Sequence, residues 1–183
     1  SADVDVLRRT LASLRIQLPA AAFKMDVRPL LKLVLNAFLG SSTGLVDMCV
    51  EHLPSAAEAS KAATTTAPPD SVLARAIERC DAQGPLLIQI AKVYPTSDAT
   101  EFRAFGRVLS GTVSCGQSVK VLGPTYTPED EEDMAVETVR GVYVAEARYA
   151  VHAPGVPAGN WVLLSGIDAT IAKSATVCDT ALP

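Results

Sequence analysis

The sequence has few aromatic residues, almost no histidine and no long apolar run. Aromatic side chains make up 5% of the 183 residues, and there are two histidines. No apolar run approaches the roughly 18 to 20 residues that a membrane-spanning helix needs, so we predict no membrane segment. The opening Ser1-Ala2-Asp3-Val4-Asp5 lacks the basic and apolar parts of a signal peptide and has no initiator Met. We therefore expect no secretion, and a chain that is a piece of a longer protein.

Patterns for metal binding and hydrolytic catalysis are also missing. The four cysteines are far apart and form no C-x-x-C pair: Cys49, Cys80, Cys115 and Cys178. Cys49 and His52 stand three residues apart without a second ligand pair, and His152 lies far from both. No G-x-S-x-G segment or spaced carboxylate pair occurs. We predict reduced, partly buried thiols, and neither metal ligands nor catalytic residues in this chain.

One segment has the glycine spacing of a phosphate-binding loop, Gly111 to Ser118. It has Gln117 where such a loop requires lysine, and it lies between two predicted strands. A true phosphate loop opens a helix whose N-terminal amides face the phosphates. We therefore predict a turn here, and no cofactor or small-molecule substrate for this chain.

The composition is that of a globular protein with one acidic run. Apolar residues account for 49% of the chain and charged residues for 20%, at a formal charge of −4. The run is Glu129-Asp130-Glu131-Glu132-Asp133. Like charges repel one another, so we predict a solvated hairpin loop. The alternative is a docking patch for a basic partner.

The first half of the sequence carries helix signals. Apolar residues recur at helical spacing from Val4 to Leu11. A helix is predicted over Val27 to Leu39, with the Asp26 carboxylate as N-cap and Gly40 in a left-handed C′ position. Further helices are predicted over Gly44 to Leu53 and Ser71 to Cys80. The broad apolar stripe of the Val27 helix indicates packing against a larger body.

Residues 55–69, rich in Ala, Thr, Ser and Pro, predict a linker, because they bury too little apolar surface to offset their ordering entropy. The predicted organisation is a helical segment over 1–54, a linker with a short helix over 55–84, a β-domain over 85–178 and a tail over 179–183.

The second half predicts a small antiparallel barrel, giving an α+β chain. Strand-length apolar runs alternate with turn residues, and closure would remove exposed sheet edges. The six predicted strands are Leu86–Val93, Phe102–Val113, Ser118–Leu122, Val136–Ala147, Trp161–Gly166 and Ala172–Val177.

Alternation along the second predicted strand places Arg103, Phe105 and Arg107 on one face. The other face carries small and apolar residues, which suit a barrel interior. An outward aromatic between two guanidinium groups fits a carboxylate-bearing domain or RNA. We predict an interaction face here, with ordinary surface or core filling as the alternative.

Several motifs resemble the second domain of translational GTPases. EFRAFGRVLSG at Glu101–Gly111 and GQSVKVLG at Gly116–Gly123 carry the resemblance. Cys80–Pro85, Ala147-Arg148-Tyr149 and Val156–Asn160 are similar to the same region of elongation factor two and its relatives. The resemblance implies a β-barrel that follows the end of a GTP-binding domain.

Within this family the details resemble the spliceosomal branch, the GTPase component of the U5 small nuclear ribonucleoprotein. They are Arg28-Pro29-Leu30-Leu31, Thr43–Cys49, Tyr126–Asp133 and Trp161. The resemblance implies a nuclear protein that acts in spliceosome activation and rearrangement. It implies GTP and Mg²⁺ for the longer protein, and a large scaffold protein, an RNA helicase and U5 snRNA as partners. For this chain it implies a scaffold and interaction module without chemistry.

Two alternatives stay open. The first is the same region of elongation factor two, with the ribosome as partner in the cytoplasm. The second is a free-standing barrel that binds a small molecule or a single nucleic-acid strand, which needs a groove rich in exposed aromatic and basic groups.

Overall fold

The computed structural model describes residues 2–40, 42–61, 68, 70–127, 129 and 132–182. The chain divides into two compact units, Ser1–Leu53 and Pro54–Pro183. The first is helical, and the second joins two short helices to a large antiparallel sheet. The α+β class is therefore confirmed, whereas the domain boundaries given above stay a prediction.

The helical unit contains α1 (Ala2–Ser13), a 3-10 helix (Ala20–Lys24), α2 (Val27–Leu39) and α3 (Thr43–His52). The predicted bounds of α2 are confirmed. Asp26 is the N-cap residue, as predicted, but its carboxylate makes no capping hydrogen bond, so that part of the prediction is wrong; its backbone oxygen accepts from Leu30 N. Gly40 does have a positive φ of 70°, but its ψ of −150° lies outside the left-handed helical region.

Helices α2 and α3 bury none of their described side chains. The apolar stripe predicted for α2 is present, and Leu31, Leu35 and Phe38 are all exposed on it. No single helix among the described residues is long and apolar enough to cross a membrane. Residues 27–39 and 43–61, bent by 50°, meet that criterion only as a pair, by length and composition.

Two short helices open the second unit, α4 (Ala56–Lys61) and α5 (Val72–Glu78). The prediction of an unstructured linker from residue 55 is wrong for α4; residues 62–67 and 69 lie outside the described residues. A capping box accounts for α4, since Ser55 N donates to Glu58 Oε2 at 2.8 Å and Glu58 N donates to Ser55 Oγ at 3.3 Å. The hydrogen bonds from Ser55 lower the pKa of Glu58.

The sheet unit has ten strands in the part of the chain that is described. Eight form one antiparallel sheet in the order β5-β4-β10-β1-β2-β9-β6-β7, and β3 pairs with β8. Their bounds are β1 Leu87–Pro95, β2 Phe102–Ser110, β3 Thr112–Ser114, β4 Ser118–Leu122, β5 Met134–Thr138, β6 Gly141–Glu146, β7 Tyr149–His152, β8 Gly155–Pro157, β9 Trp161–Ser165 and β10 Ala175–Asp179.

The prediction of six strands is therefore wrong. The predicted strand from Phe102 breaks at Gly111, whose φ of 76° ends β2 before β3. The predicted strand from Val136 to Ala147 breaks at residues 139–140, where Val139 is fully buried and the chain crosses from β5 to β6. Each break is only one or two residues long and lies between two segments of strand character, so the prediction merged the segments on either side.

A closed six-stranded barrel is not confirmed, because the hydrogen-bonded ladder of the described strands is open at β5 and β7. The sheet nevertheless curls. β5 and β6 lie near opposite ends of the ladder but are joined by only two residues, Val139 and Arg140. One apolar core, which includes Ile88, Val121 and Leu164, fills the interior.

The predicted acidic loop is only partly described, since residues 130 and 131 lie outside the described residues. Asp133 closes it. Its Oδ2 accepts from Thr125 N at 2.9 Å and from Thr125 Oγ1 at 2.6 Å, and these bonds lower the pKa of Asp133.

Gly106 gives a first test of the fold. A Cβ at this position would lie 2.5 Å from Gln89 O, whereas a Cβ at Gly116 would meet no atom of the described residues within 4 Å. We expect Gly106→Ala to destabilise the sheet unit by roughly 3 kcal/mol through steric overlap. Gly116→Ala, at φ 83°, should cost only about 1 kcal/mol of backbone strain. Urea unfolding midpoints measure the loss of stability in each variant. Equal losses of stability in Gly106→Ala and Gly116→Ala would contradict the close approach of β1 and β2.

Cysteine reactivity gives a second test. All four thiols are free, and Cys178 on β10 is buried whereas Cys115 is exposed. Burial raises the pKa of Cys178, so less thiolate is available for alkylation. We expect iodoacetamide at pH 8 to modify Cys115 at least about tenfold faster than Cys178 in the folded chain, with similar rates in urea. Peptide mass spectrometry measures this, and rapid labelling of Cys178 before unfolding would count against the core.

Candidate interaction surface

Burial alternates strictly along β2. Ala104, Gly106 and Val108 are buried against the core, while Arg103, Phe105 and Arg107 are half-buried on the opposite side. The structure thus places the three predicted residues on one outward face. Their role as a contact surface stays a prediction.

The neighbouring strands add aromatic rings around Phe105. Trp161 on β9 stacks on Phe105, with ring centroids 4.9 Å apart and an interplanar angle of 9°. Tyr94 on β1 meets Phe105 edge-on at 5.9 Å. Trp161 is 48% exposed and Tyr94 46%. The sequence implied a single outward aromatic ring between two arginines. In the structure, Phe105 is instead the middle ring of a three-ring cluster.

A second cluster continues the same face towards β6 and β7. The Arg103 guanidinium lies 4.6 Å from the centre of the Tyr143 ring, and His152 contacts that ring edge-on at 5.6 Å. Leu163 on β9 is opposite both Phe105 and Tyr143 in the ladder. It is 7% exposed, although it is not part of the interior core. The outer face thus buries an apolar side chain of its own.

We name this set of residues the aromatic face. Its members are Tyr94, Arg103, Phe105, Tyr143, His152, Trp161 and Leu163. Sequence reasoning found two of them, Arg103 and Phe105. It missed the others because their proximity depends on the order of strands, and the only available signal was the alternation of Trp161 and Leu163 within β9.

The third predicted residue, Arg107, contacts helix α4. Its Nη2 donates to the backbone oxygen of Ala56, at the start of α4, over 3.4 Å. Its Nε is buried and has no hydrogen-bond acceptor among the described residues. Arg107 therefore anchors α4 to the sheet, and the exposed part of the surface lies towards Arg103.

The charge of this surface differs from that of the whole chain. The strand register places Lys92, Arg103 and Arg107 among the outward residues of β1, β2, β9 and β6, and no Asp or Glu side chain faces outward on these strands. The whole chain carries a net charge of −4. The arrangement thus offers a cationic, aromatic surface to an anionic or apolar partner.

The segment with phosphate-loop spacing does not fit a nucleotide. Gly111 N donates to Asp81 O at 2.8 Å, Gly116 N to Val139 O at 2.8 Å, and Ser114 N to the Gln117 side chain at 3.2 Å. These amides are already used within the fold, and the segment joins strands rather than opening a helix. Among the described residues, no group of three or more His, Cys, Asp or Glu side chains is placed to hold a metal ion.

Comparison with known proteins supplies a family match. The family model described as elongation factor Tu domain 2 matches residues 102–178, which include every strand of the aromatic face except β1. Residues 102–178 are therefore similar in sequence to the second domain of translational GTPases. The matched domain begins at Phe102, the first residue of β2.

Three full-length relatives narrow the comparison. The chain is 44% identical over 173 residues to the 109 kDa U5 small nuclear ribonucleoprotein component GFL of Arabidopsis thaliana, and 44% identical over 173 residues to the 110 kDa component CLO of the same plant. It is 40% identical over 182 residues to the pre-mRNA-splicing factor cwf10 of Schizosaccharomyces pombe. These matches cover 93% of this chain for the plant proteins and 97% for cwf10, but 18% of each relative. Their names favour the spliceosomal interpretation over elongation factor two.

A double-mutant cycle tests the stacked pair. Offset aromatic pairs contribute roughly 0.5 to 1.5 kcal/mol beyond area burial, so we expect Phe105→Leu and Trp161→Leu to couple by about 1 kcal/mol in urea unfolding. The control cycle pairs Phe105→Leu with Tyr149→Leu, on a strand three places away in the sheet. It should show almost no coupling. Equal coupling in both cycles would contradict the stack.

Proposed function

We propose that this chain is an interaction module of a spliceosomal GTPase that acts in pre-mRNA splicing. The observation that carries the proposal is 44% identity across 93% of the chain to a named U5 component. The aromatic face supplies the surface through which the module would act. The chain spans 18% of the relatives' length, so the activity of the longer protein is part of this proposal.

The chemistry of the longer protein would lie elsewhere in it. The amides of the loop-like segment are occupied, so GTP and Mg²⁺ would be held by a separate nucleotide-binding domain. The family implies such a domain. This chain would then transmit the nucleotide state, because rigid movement of one packed domain against another converts a local change into a larger rearrangement.

The helical unit fits this proposal. The exposed stripe of α2 carries Leu31, Leu35 and Phe38, and α3 exposes Leu45 and Val50. Contiguous apolar surface of this kind marks a contact site. We infer that it packs against another part of the longer protein, as expected for the end of a GTP-binding domain.

The spliceosomal setting supplies the partners. We propose a nuclear protein that contacts a large scaffold protein, an RNA helicase and U5 snRNA in the U5 particle. A cationic, aromatic surface suits the carboxylates and apolar groups of a protein partner, and it also tolerates nearby phosphate.

Binding of a single nucleic-acid strand is less well supported by the geometry. Such binding uses aromatic faces on which bases stack. Here Phe105 and Trp161 stack on each other at 4.9 Å, so no base can enter between them. A titration with single-stranded RNA at low salt distinguishes a protein-interaction module from a nucleic-acid-binding barrel. Tight binding of the RNA by this chain would favour the nucleic-acid-binding barrel.

Particle assembly tests the proposal. We expect Phe105→Leu combined with Trp161→Ser in the full-length protein to lower co-purification with the U5 particle about tenfold, as the loss of an interface anchor does. Phe102→Leu is the matched control, because Phe102 is an exposed ring on the same strand but outside the aromatic face. Its assembly should equal that of the unsubstituted protein.

Two results would contradict the proposal. One is unchanged assembly of the double variant, with circular dichroism confirming that the variant chain is folded. The other is co-purification of the full-length protein with ribosomal rather than spliceosomal RNA, which would assign the chain to the elongation factor alternative.

A further inference from the structure

Helix α4 lies over one end of the outward side of β2. The backbone oxygen of its first residue, Ala56, accepts a hydrogen bond from Arg107 Nη2. A Cβ at Gly159 would lie 3.0 Å from Ala56 Cβ and 2.8 Å from Cys80 Sγ, so α4 also approaches the turn between β8 and β9 and the Cys80 thiol. Trp161 is opposite Arg107 in the ladder. The end of β2 that α4 covers is therefore next to the aromatic face.

Helix α4 buries little side-chain surface. Ser60 is buried, Ala56 and Ala59 are half-buried, and the other three residues of the helix are exposed. Such small side chains remove little apolar surface from water. A helix of six residues also has little stability of its own in water. Burial therefore gives the docked position of α4 only a small advantage over a released one.

The docked position leaves Arg107 incompletely bonded. The bond from Arg107 Nη2 to Ala56 O is 3.4 Å long, beyond the usual limit of about 3.2 Å for an N–H donor and an oxygen acceptor. Arg107 Nε is buried without an acceptor among the described residues. A buried donor without an acceptor is destabilising, because it has given up its bond to water. Release of α4 would return the guanidinium to water or to an anionic group, so the orphaned donor favours the released position.

We propose that α4 (Ala56–Lys61) is a regulatory strap, which hides the Arg107 guanidinium when docked and uncovers it for the partner of the aromatic face when released. Arg103 and Arg107 would then both be available on either side of Phe105, as the alternation along β2 places them. The docked strap raises the apparent Kd of the partner in proportion to the fraction of docked chains. The inference deepens the proposed function and rests on it, because the strap acts on the same surface.

The capping box of α4 offers a way to release the strap without altering β2. The exposed Glu58 carboxylate accepts from Ser55 N at 2.8 Å and from Ser55 Oγ at 2.8 Å. Glu58→Ala removes both bonds, so the helix is less stable and the released position is more populated. Glu58→Gln is the matched control, because glutamine also completes a capping box.

The native thiol of Cys80 reports the position of α4. Cys80 is half-buried beside Ala56, whereas Cys115 is exposed and Cys178 is buried in the sheet. We expect iodoacetamide to modify Cys80 at least about threefold faster in Glu58→Ala than in the unsubstituted chain, as the loss of a helix cap allows. Cys115 and Cys178 should keep their rates, and Glu58→Gln should change none of them. Equal Cys80 rates in all three chains, measured by peptide mass spectrometry, would overturn the inference.

A covalent lock tests the effect of the strap on assembly. Ala56→Cys places a second thiol near Cys80, and dibromobimane bridges neighbouring thiols. We expect the bridged full-length variant to co-purify with the U5 particle at least about tenfold less than the same variant before bridging, because the docked strap excludes the partner from Arg107. The unsubstituted protein, which lacks the introduced thiol, should show no change after the same treatment.

Three outcomes of the lock are decisive. Failure of the introduced thiol to bridge to Cys80 would contradict the docked position of α4, and equal assembly before and after bridging would overturn the strap. If the double variant Phe105→Leu and Trp161→Ser still loses assembly, the proposed function stands despite either result. Unchanged assembly of that double variant would reject the proposed function and the strap together.

Discussion

The pairing of β1 with β2 determines which side chains the sheet presents to solvent. Gly106 sits against the backbone of Gln89, where a Cβ would lie 2.5 Å from the carbonyl oxygen, and the ladder is irregular between Ile90 and Lys92. This register buries Ala104 and Val108 and turns Phe105 outward. A shift by one residue would exchange the two faces, placing guanidinium groups in the core. The aromatic face therefore exists because the core admits only this register.

The outer face is held by interactions of its own. Phe105 and Trp161 stack, Arg103 covers the ring of Tyr143, and Leu163 is buried beneath them. Such preorganised rings lose little conformational entropy on binding, which suits a contact surface. The sheet thus combines a closely packed apolar interior with an ordered, cationic aromatic face on its outer side.

Local sequence signals predicted local structure well. The bounds of α2 followed from the capping signals at Asp26 and Gly40, and the alternation in β2 from its two-residue period, because each depends on neighbouring residues. Features that depend on distant contacts were missed. The break at Val139 and Arg140 is only two residues long, and the open ladder follows from strand order. The capping box of Ser55 and Glu58 is a readable signal that was missed, because residues 55–69 were interpreted from their composition alone. Arg107 was placed on the correct side, yet its contact with Ala56 spans 51 positions.

Side-chain footprinting tests the central claim most directly. Hydroxyl radicals oxidise exposed aromatic rings, and Trp161 and Tyr94 are 48% and 46% exposed in the chain described here. If the aromatic face is the contact surface, oxidation of both residues in the full-length protein should fall several-fold on assembly into the U5 particle, while exposed Phe102 keeps its rate. Equal oxidation of Trp161 and Tyr94 in the free and assembled protein would contradict the account.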